Sequence, residues 1–177
     1  MKLVPDSVVN AAKKIKYLFL DVDGVLTDGK LYFSDRGEEL KAFNIKDGLG
    51  IKLLKMNNIG AGIITARQAE SVNHRARELK LDPVFQGSGD KAETLKKFLK
   101  AKSISLSEVA YLGDDLPDLQ VIKMVGLGVC VANSPSILIE SADWQVKSNG
   151  GEGAVRELAE LILQSQNKLN SSIEQYL

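Results

Sequence analysis

Cysteine occurs once in this chain, at Cys130. No intrachain disulfide is therefore possible, and a reducing, cytoplasmic setting is expected. Cys130 falls in an apolar run and reads as packing. Net charge is missing too, since 23 basic side chains face 23 acidic ones. That balance excludes a domain held to nucleic acid by bulk charge. No apolar run approaches the roughly 20 residues that cross a bilayer, so no membrane partner is expected. The first residues, MKLVPDSVVNAAKKIK, lack the apolar core of about 7–15 residues that marks a signal peptide. The one histidine, His74, stands beside Arg75 in a helical stretch and reads as a surface residue. Internal repeats, low-complexity tracts and linkers are absent. What is present suits a soluble globular protein, with 44% hydrophobic and 26% charged residues. A chain of 177 residues suits one domain, residues 1–177, that buries about 70% of its unfolded surface.

Four apolar runs read as buried strands: Tyr17–Leu20, Ala61–Ile64, Val109–Leu112 and Leu127–Val131. Each is continuous rather than alternating, as expected for parallel strands covered on both faces. Helical stretches lie between and after them, at Gly48–Asn57, Ala69–Leu79, Ala92–Lys102, Leu116–Met124 and Ala154–Gln166. In the last, Val155, Leu158, Ala159 and Ile162 form an apolar stripe. This alternation predicts an α/β fold, a Rossmann-like parallel sheet flanked by helices. Ligands of such sheets sit beyond the carboxyl ends of the strands. One segment breaks the pattern. Lys30–Phe43 reads as a β-hairpin with its turn at Ser34–Gly37, placed to fold over the end of the first strand. Trp144 is expected in the core or at an interface, and the polar tail Ser165–Leu177 is expected to fray.

Acidic residues cluster where strands end. Asp21-Val22-Asp23-Gly24 follows the first strand. Side chains two apart on a strand share a face, so the two carboxylates are expected together. At 4 Å and an effective dielectric of 20 they would repel by about 4 kcal/mol, which a hard cation such as Mg²⁺ would offset. A solvated acidic turn is the plainer reading. Gly113-Asp114-Asp115-Leu116-Pro117-Asp118 follows the third strand. Asp115 or Asp118 could equally be helix caps there. In a parallel sheet both acidic ends lie on one edge, where a single metal could draw on both. Thr65 ends the second strand and could hold a phosphate oxygen or cap a helix. Lys91 opens a helix against the macrodipole, which favours a partner anion or carboxylate.

Taken in order, Asp21-x-Asp23, Thr65, Lys91 and Gly113-Asp114-Asp115 resemble the four motifs of the haloacid dehalogenase superfamily of phosphatases. Asp-x-Asp-Gly-Val alone is a weak signal; all four in order are a strong one. Three longer stretches, Asp21–Gly29, Gly37–Gly48 and Gly150–Glu157, resemble the 3-deoxy-D-manno-octulosonate 8-phosphate phosphatase family. The resemblance implies a HAD-like fold and an Mg²⁺-dependent phosphomonoesterase in lipopolysaccharide precursor biosynthesis. It implies Asp21 as nucleophile, Asp23 as general acid and base, Thr65 as a phosphoryl ligand and Lys91 as the cation between Asp21 and phosphate. Asp21, the Asp23 carbonyl and Asp114 would hold the metal, with Asp115 and Asp118 in support.

Larger members of the superfamily carry a cap domain, for which this chain has no room, so it resembles the capless type with a hairpin flap. The family answer is a homotetramer whose neighbours close each site over a small sugar phosphate. Asn44, Ile45, Lys46, Asp47, Gly48, Lys52, Arg67 and Arg75 would contact substrate by the same match. An Arg suits the carboxylate of a 2-keto acid, although Lys52 and Arg75 read equally as a solvated helix face. Glu152 departs from the family pattern, which often has Arg inside the Gly-Gly-x-Gly run. An acid near phosphate is unfavourable, so Glu152 is expected to point away, or the tail closes the site differently. A phosphatase for a nine-carbon keto-sugar acid phosphate would carry the same motifs. A phospho-accepting receiver module would need the acidic pair, acceptor Asp and Lys in another order.

Overall fold

The computed structural model describes residues 4–177. In chain order the elements are α1 (Asp6–Ala12), β1 (Tyr17–Leu20), β2 (Tyr32–Phe33), β3 (Glu39–Leu40), α2 (Ile45–Met56), β4 (Gly60–Ile64), α3 (Glu70–Leu79) and β5 (Val84–Phe85). They continue as α4 (Lys91–Lys102), β6 (Val109–Gly113), α5 (Leu119–Met124), β7 (Leu127–Cys130), α6 (Ser136–Ile139), β8 (Trp144–Gln145), α7 (Ala154–Ser165) and α8 (Leu169–Glu174). Six strands form one sheet in the order β5-β4-β1-β6-β7-β8, with every pairing parallel. β2 and β3 form a separate antiparallel pair.

The continuous apolar runs follow from cover on both faces. Leu18 and Leu20 join one core cluster with residues of α1, α2 and α7, whereas Phe19 joins the other with residues of α4 and α5. β6 divides the same way, Ala110 and Leu112 to one side, Val109 and Tyr111 to the other. β1 and β6 thus spend their side chains on core. On the second side Phe98 meets the rings of Tyr17, Phe19 and Phe85 edge-on, with centroids 5.3–6.1 Å away. Across the first, α2 and α7 approach closely. A Cβ at Gly50 would lie 2.9 Å from the Arg156 Cα.

Register decides where the chemistry can sit. Leu20 pairs with Ile63 on one side and Leu112 on the other. Asp21, Thr65 and Asp114 each follow their strand's last apolar residues, so the sheet itself sets them on one edge.

The expected hairpin is present but short. Tyr32 pairs with Leu40 and Phe33 with Glu39. Gly37 closes the turn at a φ of 78°, where a side chain would be strained. Helix starts also shift. α2 begins at Ile45 because Asn44 caps it, and α4 begins at Lys91 because Asp90 accepts the Glu93 N–H at 2.8 Å. The tail does not simply fray. Residues 169–174 form α8, tied to α2's end by a 2.7 Å bond from Asn57 to Ser172. Trp144 is half-buried in the edge strand β8 and packs against the first core cluster.

Candidate active site

Asp21 stands one residue beyond β1, its N–H donating to the Leu112 carbonyl of β6 at 3.1 Å. Its Oδ1 accepts the Val22 N–H at 2.7 Å, and its Oδ2 lies 2.7 Å from the Lys91 ammonium. Lys91 also reaches Asp118 Oδ1 at 2.6 Å. The helix-starting lysine therefore faces two carboxylates, as its position required. Asp118 is fully buried and fully subscribed. Its Oδ1 accepts from Lys91 and from the Tyr111 hydroxyl, both at 2.6 Å. Its Oδ2 accepts the N–H of Asp114 at 2.9 Å and that of Asp115 at 3.4 Å. Asp115 and Asp118 also form a capping box at the 3₁₀ turn Leu116–Asp118, which meets the capping reading.

Carboxylate oxygens of Asp21, Asp114 and Asp118 lie within 4.8 Å of one another. Burial and then the Asp118 charge raise the Asp21 pKa to about 6, with Lys91 pulling it back. Burial, then Asp118 and Asp21, raise that of Asp114 to about 7. Burial works against the charge of Lys91, but Asp21 and Asp118 outweigh it and its pKa is raised. One lysine among three carboxylates leaves negative charge uncompensated. The donors are oxygen only, and Asp118 has no lone pair to spare, so Asp21 and Asp114 are the side chains open to a hard divalent cation. Gly24 makes the close approach possible: at φ 84°, a Cβ there would sit 2.1 Å from Asp114 Oδ2.

Asp23 corrects the strand argument. Its carboxylate does not join the cluster of Asp21, Asp114 and Asp118. β1 ends at Leu20 and the chain turns, so strand alternation no longer applies to residues 21–23. Asp23 instead pairs with Lys41 from the end of the hairpin. Lys41 lies 2.8 Å from Glu39, Glu39 lies 2.6 Å from Arg67, and Arg67 lies 3.8 Å from Asp23. The sequence offered no signal for Lys41 or Glu39, since nothing local predicts which residue a hairpin lays on a loop. Tyr111 was hidden likewise inside an apolar run. Thr65 is buried at the end of β4, its N–H bonded to Phe85 and its carbonyl to Ser88.

The expected substrate contacts divide. Arg67 reaches the Asp23 side of the site. Asn44 caps α2 and donates to the Gly151 carbonyl at 3.0 Å, while Ile45 and Lys46 are exposed. Asp47 is turned inward: it is 1% exposed, and its carboxylate accepts the Arg156 N–H at 2.9 Å, capping α7. Its other carboxylate oxygen, Oδ2, is buried and receives no hydrogen bond. Gly48 is packed under Arg75, which would lie 2.5 Å from a Cβ there. Lys52 and Arg75 line a groove of about 600 Å³ between α2 and α3, together with Ile45, Leu49 and Met56. That groove includes none of Asp21, Asp23, Asp114 and Asp118, because Lys52 and Arg75 sit on helix flanks rather than strand ends. Glu152 points away, accepting from Asn149 at 3.1 Å, while the glycines beside it press on the loop after β1. A Cβ at Gly150 would lie 1.6 Å from the Gly24 carbonyl oxygen. His74 is exposed and Cys130 buried, as expected.

Residues 84–158 match the model of a haloacid dehalogenase-like hydrolase family. Over 169 residues the chain is 43% identical to the 3-deoxy-D-manno-octulosonate 8-phosphate phosphatase of Escherichia coli K12, spanning 96% of this chain and 90% of that one. The chain belongs to the 3-deoxy-D-manno-octulosonate 8-phosphate phosphatase family. The Yersinia pestis enzyme of that name is 42% identical over the same shares. The family enzyme of Moraxella catarrhalis, solved with magnesium ion, phosphate ion and KDO, superposes with a TM-score of 0.95 at 40% identity. That match covers 97% of this chain and 99% of the other. Membership accounts for the order of the strand-end motifs, which a receiver module does not share.

Proposed function

We propose that this chain is a phosphomonoesterase of one domain, residues 1–177, that hydrolyses 3-deoxy-D-manno-octulosonate 8-phosphate to the free sugar acid and phosphate with Mg²⁺. The observation that carries the reading is the buried Asp21 gripped by Lys91 beside the open carboxylate of Asp114. The family relatives reported above carry the eight-carbon name, which supports that substrate over a nine-carbon one.

Asp21 Oδ attacks phosphorus, and the bond from phosphorus to the sugar oxygen breaks. Asp23 gives its proton to the departing alkoxide. Asp23, now a base, takes a proton from water, the water oxygen attacks phosphorus, and Asp21 is released as carboxylate. Lys91 neutralises Asp21 as the dianionic phosphoryl group arrives, and Thr65 holds a phosphoryl oxygen. Asp21, Asp114 and the Asp23 carbonyl would hold Mg²⁺, which supplies charge stabilisation to the phosphoryl oxygens when bound. Arg67 suits the substrate carboxylate.

An exposed hairpin supports assembly. Leu31, Phe33 and Leu40 are each more than half exposed, and Tyr32 is 42% exposed. Such a patch is better covered by another subunit, and a closed homotetramer would cover every copy. Lys52 and Arg75 would then serve a neighbour's site. No described helix is long and apolar enough to cross a membrane, and a cytoplasmic setting fits the single buried cysteine.

The test is phosphate release from 3-deoxy-D-manno-octulosonate 8-phosphate. The wild type should turn over with Mg²⁺, and Asp21→Asn should lose essentially all turnover while staying folded, because an amide cannot form the acyl phosphate. An Asn variant with wild-type turnover and no deamidation removes the nucleophile assignment.

A further inference from the structure

Asp23 carries two oxygens in unlike states. Oδ1 is engaged by Lys41. Oδ2 is buried and receives no hydrogen bond, its nearest cation being Arg67 at 3.8 Å. A group that must deliver a proton to a leaving oxygen, and then take one from water, is served by this division: one oxygen held by a cation, the other without a hydrogen-bond partner. The Lys41 side chain is only 2% exposed. Burying an ammonium is costly unless it is paired, and here two carboxylates pair it, Asp23 in front and Glu39 behind at 2.8 Å. Glu39 is held in turn by Arg67 at 2.6 Å. The four charges alternate in a ring that joins the loop after β1, the return strand of the hairpin and the loop after β4. Lys41 is the buried member, and it comes from the one element that the parallel sheet does not position.

We infer that Lys41 is a positioning residue of the reaction, fixing Asp23 by one oxygen so that the other faces the leaving group, with Glu39 holding Lys41 in place. This rests on the reading of Asp23 as general acid. It makes the hairpin part of the catalytic apparatus of its own subunit as well as a flap. Lys41 touches no reacting atom; it acts through Asp23. Its removal should therefore matter most where the leaving group most needs a proton.

The probes are 3-deoxy-D-manno-octulosonate 8-phosphate, whose alkoxide must be protonated, and p-nitrophenyl phosphate, whose phenolate leaves without help. The readout is the ratio of kcat/KM for the two, since kcat/KM reports steps through loss of the leaving group and not the later hydrolysis. Lys41→Met should lower that ratio at least 10-fold, and Glu39→Gln should lower it less. Lys41→Arg, which keeps a cation, should recover part of it. If Lys41→Met fails to fold, Lys41→Gln serves in its place, with Mg²⁺-dependent thermal stabilisation confirming an intact metal cluster. An unchanged ratio in a folded variant, or equal losses on both substrates, overturns the assignment. Asp21→Asn separates this from the parent reading. It should abolish both reactions, and activity surviving in it would overturn the covalent mechanism whatever Lys41 does.

Discussion

Asp21 sits at the end of β1, against strand and helix ends that the sheet holds side by side, whereas Asp23, two residues later, meets side chains brought by the hairpin. Around Asp21 every partner is anchored in the core. Lys91 opens α4, Asp118 closes a 3₁₀ turn, and Tyr111 lies inside β6 with no exposure. Around Asp23 the partners are Lys41, just past a two-residue strand, and Arg67, 44% exposed on a loop. Sheet and helix ends therefore set the neighbours of Asp21, whereas a two-residue hairpin strand and a loop set those of Asp23.

Cutting Lys91 should have the largest effect. In Lys91→Met the buried carboxylates of Asp21 and Asp118 lose their shared cation, a change that costs about 3–5 kcal/mol in comparable buried pairs. Urea unfolding without Mg²⁺ should show the loss, and turnover should vanish with it. A variant as stable as the wild type would mean that the cluster is not held by this lysine.

A smaller effect, and one that sharpens the contrast, is the dependence of stability on pH and metal. Asp21 and Asp114 have folded-state pKa values raised to about 6 and about 7, first by burial and then by neighbouring carboxylates. Between about pH 4, where unfolded carboxylates ionise, and pH 7 the folded chain holds protons that the unfolded chain releases. Stability contributed by these groups is thus greatest below pH 4 and falls as pH rises through 6 and 7. Thermal melts with chelator should show this decline, Mg²⁺ should reverse it at pH 7–8, and Asp114→Asn should remove much of both responses. Chelation should also abolish turnover. A melt at pH 8 indifferent to Mg²⁺ would contradict the metal assignment.

The smallest effect on the monomer should come from the hairpin. Tyr32 and Phe33 are exposed, so replacing both with Ser should change unfolding of the isolated chain by about 0.5 kcal/mol or less. Assembly and catalysis should nevertheless weaken together. Sedimentation of the wild type as a fully active monomer would refute the oligomeric reading.

Much of the Asp21 side was legible beforehand. Tyr17–Leu20 and Val109–Leu112 read as buried strands from their unbroken apolar character, and acids just beyond parallel strands must share an edge. Lys91 was legible because a cation at a helix start needs an anion. The Asp23 side was not, because alternation stops with the strand and the turn alone decides where that carboxylate goes. Asp47 shows the same limit. Only the family match put it among the substrate contacts, and nothing local foretold that the close packing of α2 on α7 would make its carboxylate cap a helix more than 100 residues away in sequence.

By itself, then, the amino-acid order settles the strand-helix alternation, the edge on which Asp21, Thr65, Lys91 and Asp114 gather, and the absence of any disulfide, because these follow from local patterning and from counting. Only the tertiary structure decides that Asp118 is saturated by four donors, that Asp23 turns to Lys41, and that Lys52 and Arg75 line a separate groove. Those outcomes depend on which side chains meet across elements far apart in sequence, and that is set by packing and register rather than by any local preference.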